Sequence, residues 1–209
     1  MKKFKLLLAV VCVVALAACC TKTEKTEETM KYENETIETI MERRSIRKYK
    51  PETVARETLE KIMECGINAP NGQNKQSWEV RVVDNPVVMD EIKVVMAEAY
   101  RDKAEMAVGC FRGAPVMVFI ARDLNYDFSA YDCGLLAENI MLSAQSLGVG
   151  SICLGSPVRF INDNPACAPI LERLGFSEGY EFCLCVGLGY ADEAPEAKPR
   201  MKEKVKFVE

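Results

Sequence analysis

Apolar and polar positions alternate along this chain in two distinct periods, and those periods predict its elements. Ile37, Ile40 and Met41 recur at helical spacing in the stretch from Thr36 to Glu42. Pro51-Glu52-Thr53 opens a second expected helix running through Cys65, with Leu59, Ile62 and Met63 on one side and Gly66 as its stop. Ala69-Pro70-Asn71-Gly72 is turn chemistry. Trp78 to Val83 alternates and reads as a strand. Pro86 to about Met106 reads as one long amphipathic helix carrying Met89, Ile92, Val95 and Met96. Pro115 to Ala121 is a continuous apolar run, which suits a central strand buried on both faces. Ala130 to Leu147 reads as a buried helix ended by Gly148-Val149-Gly150, Ile152 to Leu154 as a strand, Pro169 to Leu174 as a short helix and Glu181 to Leu188 as a last strand. Helices and strands mix throughout without a repeating unit, so the fold class is α+β, with helices covering a central sheet.

The N-terminus follows a different pattern. Lysines at positions 2, 3 and 5 precede an unbroken apolar run from Leu6 to Ala18, then Cys19. That is the pattern of a secretory leader. As helix the run is roughly 20 Å long at ~1.5 Å per residue, short of the ~30 Å of a bilayer core. Leu16-Ala17-Ala18-Cys19 resembles a bacterial lipobox, which makes residues 1–18 a lipoprotein signal peptide and Cys19 the lipidated first residue of the mature chain. The alternative is plain cleavage with Cys19 and Cys20 incidental. Residues 19–35 are polar, charged and aperiodic, so they read as a flexible tether. One domain then occupies 36–209, and the expected location is the cell envelope, lipid-anchored on the periplasmic or outer face.

Composition narrows the chemistry. Of 209 residues, 49% are apolar and 28% charged, with a net charge of −4. An acidic balance with no basic block argues against nucleic acid as a partner. The chain contains no histidine, which removes Ser-His-Asp and Cys-His nucleophiles, His-ligated zinc and His general bases. Seven cysteines lie in the domain, an odd number without a C-x-x-C pair, which gives little support to a disulfide framework or structural zinc; buried free thiols are expected, with a single disulfide as the alternative in an exported chain. Cys183 and Cys185 are expected to share one face of their strand.

Four segments carry groups able to hold a cofactor. Arg43-Arg44-Ser45-Ile46-Arg47 gathers three guanidiniums and a hydroxyl, which match a phosphate through bidentate, charge-assisted bonds. On these residues alone a solvated basic edge paired with Glu42 or Glu52 is the favoured reading. Lys198-Pro199-Arg200 is a second basic pair, or an exposed tail. Asn71 to Trp78 offers amides able to bond a heterocycle edge. Leu154-Gly155-Ser156 follows a strand, and Gly155 lets backbone N–H groups approach a flat ring; the G-x-G-x-x-G dinucleotide fingerprint is absent.

Taken in order, these motifs resemble the FMN-dependent nitroreductase family from Ile37 to Phe207. The R-R-S-x-R-x-[YF] run is met by Arg43 to Arg47 with Tyr49. The A-P-S-x-x-N-x-Q-P-W run is met from Ala69 to Trp78, the G-A-P strand entry by Gly113-Ala114-Pro115, and the D-x-G-x-x-x-x-N helix by Asp132, Gly134 and Asn139. Leu147-Gly148-Val149-Gly150 follows, and K-x-R closes with Lys198 and Arg200. The resemblance implies a mainly antiparallel sheet and an obligate homodimer with FMN at its interface. Arg43, Ser45, Arg47, Lys198 and Arg200 would hold the FMN phosphate and the pyrimidine edge, with Arg44 giving mainly backbone contacts. Pro70, Asn71, Gly72 and Asn74 would reach the flavin from the other subunit, and Leu154-Gly155-Ser156 would lie beside N5. Asn71 stands where Ser is usual, and Ser77 where Pro is usual, which removes a backbone constraint.

The implied activity is ping-pong hydride or electron transfer from NAD(P)H or another donor to flat, electron-poor acceptors such as nitroaromatics and quinones. A leader on such a domain sets it apart from cytosolic NAD(P)H, which favours a membrane or periplasmic electron donor. The alternative from another class is a lipoprotein that binds flavin or a small molecule without turnover. A third reading is a relative specialised for one flat substrate, against which the short Asp123–Ala130 segment argues by leaving little room for a lid.

Overall fold

The computed structural model describes residues 31–209; the expected leader, Cys19 and most of the expected tether lie outside them. Helix α1 (Glu35–Glu42) is capped by Asn34, whose side chain accepts the Ile37 N–H at 3.0 Å. It therefore takes in Glu35, the last residue of the expected tether. Helix α2 is Arg56–Ile67, strand β1 Trp78–Val83, α3 Pro86–Ala99, α4 Ala104–Gly109 and β2 Val116–Asp123. Then follow α5 (Ser129–Ser146), β3 (Gly150–Leu154), α6 (Ser156–Asn162), α7 (Ala168–Leu174) and β4 (Tyr180–Gly189). Among the described residues no helix is long and apolar enough to cross a membrane.

The four strands form one sheet in the order β1-β2-β4-β3, antiparallel at every pairing. β2 lies inside it, as its unbroken apolar run requires. Met117 and Phe119 face one core with α3 (Met89, Ile92, Met96), α6 and α7; Val116, Val118 and Ile120 face the other with α2 and α5. The molecule is three-layered, α on sheet on α, and each apolar face of the sheet is covered.

Several expectations are corrected. The helix expected from Pro51 starts at Arg56, and Gly66 lies inside it, buried against Ile140 of α5, rather than ending it. The single long helix expected from Pro86 to Met106 is broken at Tyr100 (φ −126°, ψ 47°). The Tyr100 ring meets Phe160 edge-on at 5.0 Å and its hydroxyl donates to the Phe160 carbonyl at 2.7 Å, a tertiary contact that holds the chain at the break. Helix α6 was not expected; the Gly-Ser-Pro sequence reads as loop, although Pro at a helix start is a familiar signal. Cys183 and Cys185 do not share a face. The β2–β4 register shifts between Ile120 and Ala121, so Cys183 is an extra residue. That bulge turns Cys183 toward the α5 side while Cys185 stays in the opposite core. All seven domain cysteines are free, and Cys153 alone among them is exposed.

One segment without regular structure ties the layers together. Ile46 N–H donates to Ser151 O of β3, Lys50 N–H to Tyr190 O just past β4, and Asp192 N–H back to Lys48 O, each at 2.9 Å. Residues 45–50 therefore lie along β3 and along the exit of β4. The fit depends on Gly189: a Cβ there would sit 2.6 Å from the Pro115 ring and 2.7 Å from the Tyr49 ring. Gly189→Ala is expected to lower stability by about 1–3 kcal/mol through overpacking, read as a drop in Tm. Tyr49 cannot swing clear without losing its hydroxyl bond to Ile46 O at 2.8 Å.

Candidate cofactor site

The pinned segment carries the basic run, and the chain beyond β4 returns to it. Arg43, Arg44, Ser45 and Arg47 line one cavity of about 250 Å³ together with Lys198 and Arg200, closed by Pro195 and Glu196. The two sequence-expected basic clusters, about 150 residues apart in the chain, face the same space.

The guanidiniums of Arg44, Arg47 and Arg200 are held by carbonyls rather than spent on acids. Arg44 Nη1 donates to Met41 O (2.7 Å) and Arg43 O (2.8 Å), Arg47 Nη1 to Ser45 O (2.9 Å), and Arg200 Nη1 to Lys198 O (2.9 Å). Each leaves further N–H donors uncommitted. Glu42, the expected partner in the solvated-edge reading, is bonded to Lys31 instead, at 2.8 Å. The acids nearest the cluster are Glu138, 3.8 Å from Arg43 Nε, Glu193, which accepts the Arg47 backbone N–H, and Glu196 in the cavity wall. At 3.8 Å the Glu138 contact is an ion pair without a hydrogen bond, and Arg43 Nε is buried with no hydrogen-bond partner; so is Ser151 Oγ, on the strand residue bridged to Ser45. Burial pushes the Tyr49 phenol well above its ordinary range, and the Glu193 carboxylate pushes the same way against the opposing charge of Arg47. The phenol therefore stays a donor and keeps its hold on Ile46.

The same strand leads to the second candidate feature. β3 ends at buried Leu154, and Gly155 and Ser156 are exposed where α6 begins. A Cβ on Gly155 would meet nothing within 4 Å, so the turn opens onto free space.

The Pro70–Asn74 group does not line the basic cavity; it sits on its own loop between α2 and β1. That loop is strained: Gln73, Asn74 and Gln76 all have φ between 50° and 55°, at an order of 1 kcal/mol each for residues with a Cβ. Its anchor is Asp132 of α5, only 3% exposed, whose Oδ1 accepts Gly72 N–H (3.0 Å) and whose Oδ2 accepts Ser77 Oγ–H (2.6 Å). Asn71 Oδ1 accepts Gln76 N–H (2.9 Å) across the loop. Ser77, where the resemblance has Pro, thus holds the backbone through a buried hydrogen bond instead of a ring. Asp132 was legible as a motif position; its part as the anchor of the loop was not. Asp132→Ala is expected to cost about 3 kcal/mol by stranding two donors beside a buried gap. Asp132→Asn, which keeps an acceptor for Gly72 and a donor for Ser77, should lose much less. Thermal melts and hydrogen exchange at Gly72 check the pair.

The fold and the convergent basic cavity define a class, the antiparallel α+β flavoprotein-like domain, and comparison with known proteins narrows it. The Nitroreductase family model matches residues 40–190, and the chain belongs to that family. It is 31% identical over 183 residues to a NADPH-flavin oxidoreductase of Vibrio harveyi, covering 82% of this chain and 72% of that one. A nitroreductase from Desulfitobacterium hafniense, solved with bound FMN, is 34% identical with a TM-score of 0.74, covering 85% of this chain and all of that one. A nitroreductase from Bacteroides fragilis, also solved with FMN, is 28% identical at TM-score 0.73, covering 84% of this chain and all of that one.

Proposed function

We propose that this protein is an FMN-dependent oxidoreductase that passes reducing equivalents to flat, electron-poor acceptors such as nitroaromatics or quinones. The observation that carries the reading is the single cavity shared by Arg43, Ser45, Arg47, Lys198 and Arg200, with Arg43 Nε buried and without a hydrogen-bond partner. Unpaired buried donors cost stability unless something arrives to bond them, and permanently charged planar donors suit a phosphate monoester.

When bound, FMN supplies hydride and electron transfer that no side chain of this chain provides. The residues bind and orient it. The guanidiniums and the Lys198 ammonium would hold the phosphate and the pyrimidine edge of the ring, and those at the ring edge would place positive charge where negative charge builds on reduction. The Leu154-Gly155-Ser156 turn would offer a backbone N–H to the ring. Pro70, Asn71, Gly72 and Asn74, on the loop held by Asp132, would meet the flavin of a partner subunit in a homodimer, as the family resemblance implies. The nitroreductases of known structure named with FMN, and the relative named for NADPH and flavin, support the cofactor and NAD(P)H as one candidate donor.

The leader pattern adds a second proposal. The chain is exported, lipidated at Cys19 and held at the cell envelope, where it draws electrons from a membrane or periplasmic carrier rather than soluble NAD(P)H. Recovery of an uncleaved, unlipidated chain from the cytosolic fraction would overturn it.

The cofactor is tested directly. The purified protein is expected to be yellow, to bind FMN in a ratio of one per subunit, to bleach on anaerobic reduction with dithionite, and then to pass those two electrons to menadione in stopped flow. Arg47→Ala or Lys198→Ala should weaken FMN binding about tenfold or more, the loss expected for one charge-assisted contact, with a shallower salt dependence. A protein that holds FMN but reduces no quinone or nitro compound would be a binding module instead. One that stays colourless in excess FMN ends the reading.

A further inference from the structure

Beyond the basic cavity, a second hollow of about 380 Å³ lies against the Gly155–Ser156 turn. Its walls are Ser156, Arg159, Phe160 and Asp163 from one side and Tyr100 and Lys103 from the other. The first four follow i, i+3, i+4, i+7 spacing, so they present one face of α6 and the residue that follows it. The opposite wall is the break between α3 and α4 that the sequence did not foretell. The two walls are fastened: Tyr100 Oη donates to Phe160 O at 2.7 Å, the two rings meet edge-on, and Asn164 Nδ2 donates to Ala99 O at 3.1 Å. The hollow is therefore built, not a gap between loose loops.

Its charge is the informative part. Lys103 Nζ rests 5.2 Å from the Tyr100 ring centre and 5.8 Å from that of Phe160. Arg159 is exposed, and among the described residues neither it nor Lys103 forms an ion pair. Asp163 is the one acid in the lining, a further helical turn beyond Arg159 and so farther from Ser156. Two uncommitted cations over an aromatic floor, opening beside the turn assigned to the flavin ring, form a specificity pocket.

We propose that Lys103 and Arg159 receive the anionic arm, a phosphate, sulfonate or carboxylate, of the ligand that stacks on the flavin. The inference rests on the FMN reading and deepens it: the ring of the second ligand faces the cofactor while its charge lies over Tyr100 and Phe160. The anion has two possible sources, an acidic acceptor or the 2′-phosphate of a nucleotide donor, and the test separates them.

With FMN-loaded protein and saturating NADH as the fixed two-electron donor, KM is compared for menadione and for a naphthoquinone sulfonate, in the wild type and in Lys103→Gln, Arg159→Gln, Arg159→Glu and Arg159→Lys. An acceptor source predicts that KM for the sulfonate rises about tenfold in the neutral variants and more in Arg159→Glu, with kcat and menadione KM unchanged and partial rescue by Arg159→Lys. A donor source predicts instead that calorimetric Kd for NADP+ weakens by the same factor while that for NAD+ holds. If charged and neutral probes shift together, or neither shifts in either arm while fold and FMN content are retained, the proposal falls. A wild type that binds no FMN or fails with menadione sinks the parent reading alone, since calorimetry with naphthalene sulfonate against the same variants still reads the pocket.

Discussion

Everything functional in this molecule depends on a short backbone splice. Three hydrogen bonds of 2.9 Å, between residues 46–50 and residues 151, 190 and 192, lay the segment after α1 along two strands that come more than 100 residues later. Without that splice the basic run would be a mobile surface stretch, with charges screened within about 8–10 Å at ordinary salt. With it, guanidiniums from one end of the chain and an ammonium and guanidinium from the other face one cavity. The tight packing of Tyr49 and Pro115 around Gly189 serves the same end. The splice fixes the depth at which the segment sits, and hence where the side chains of Arg43 and Ser45 emerge.

What could be read from the chain, and what could not, follows from the range of the forces involved. Strands β2 and β4 were legible because burial on both faces leaves an unbroken apolar signature. The basic residues of the cavity were legible because charge clusters are local, and family resemblance joined the two ends. Long-range effects were not. The Cys183 bulge arises only from the register of β4 against β2, and no local pattern announces an extra residue. The break at Tyr100 is forced by a contact with Phe160, sixty residues on. Helix α6 is only 7 residues long, too short for amphipathic periodicity to declare itself. The pocket lined by Lys103 and Arg159 was missed for that reason: both walls come from elements that the sequence pattern misdrew.

The two hollows divide labour along one strand. β3 carries Ser151, bridged to Ser45 beside the basic cavity, and ends at Leu154, where the turn opens toward the second hollow. The four residues from Ser151 to Leu154 therefore span from beside the proposed phosphate hold to the proposed ring contact, about 10 Å at strand rise, a length commensurate with a mononucleotide. Strand geometry serves better than a loop here, because electron transfer between stacked rings tolerates little slack in their separation.

The electrostatics make the same point from another side. The chain is net acidic, yet both hollows are cationic, so each cation cluster must resist neutralisation by its own protein. Near the basic cavity Glu193 accepts a backbone N–H, Glu138 stands at 3.8 Å without a hydrogen bond and Glu42 is taken by Lys31, which leaves Glu196 as the acid of the cavity wall against five cations. Carbonyl oxygens, which hold a guanidinium without cancelling its charge, take the places that carboxylates would otherwise fill. An acidic surface around a cationic recess repels stray polyanions while leaving the recess strong at short range. With no histidine anywhere in the chain, the protein's side of that balance does not change through imidazole protonation near neutral pH, so any pH dependence of phosphate binding there comes from the second ionisation of the phosphate itself, near pH ~6.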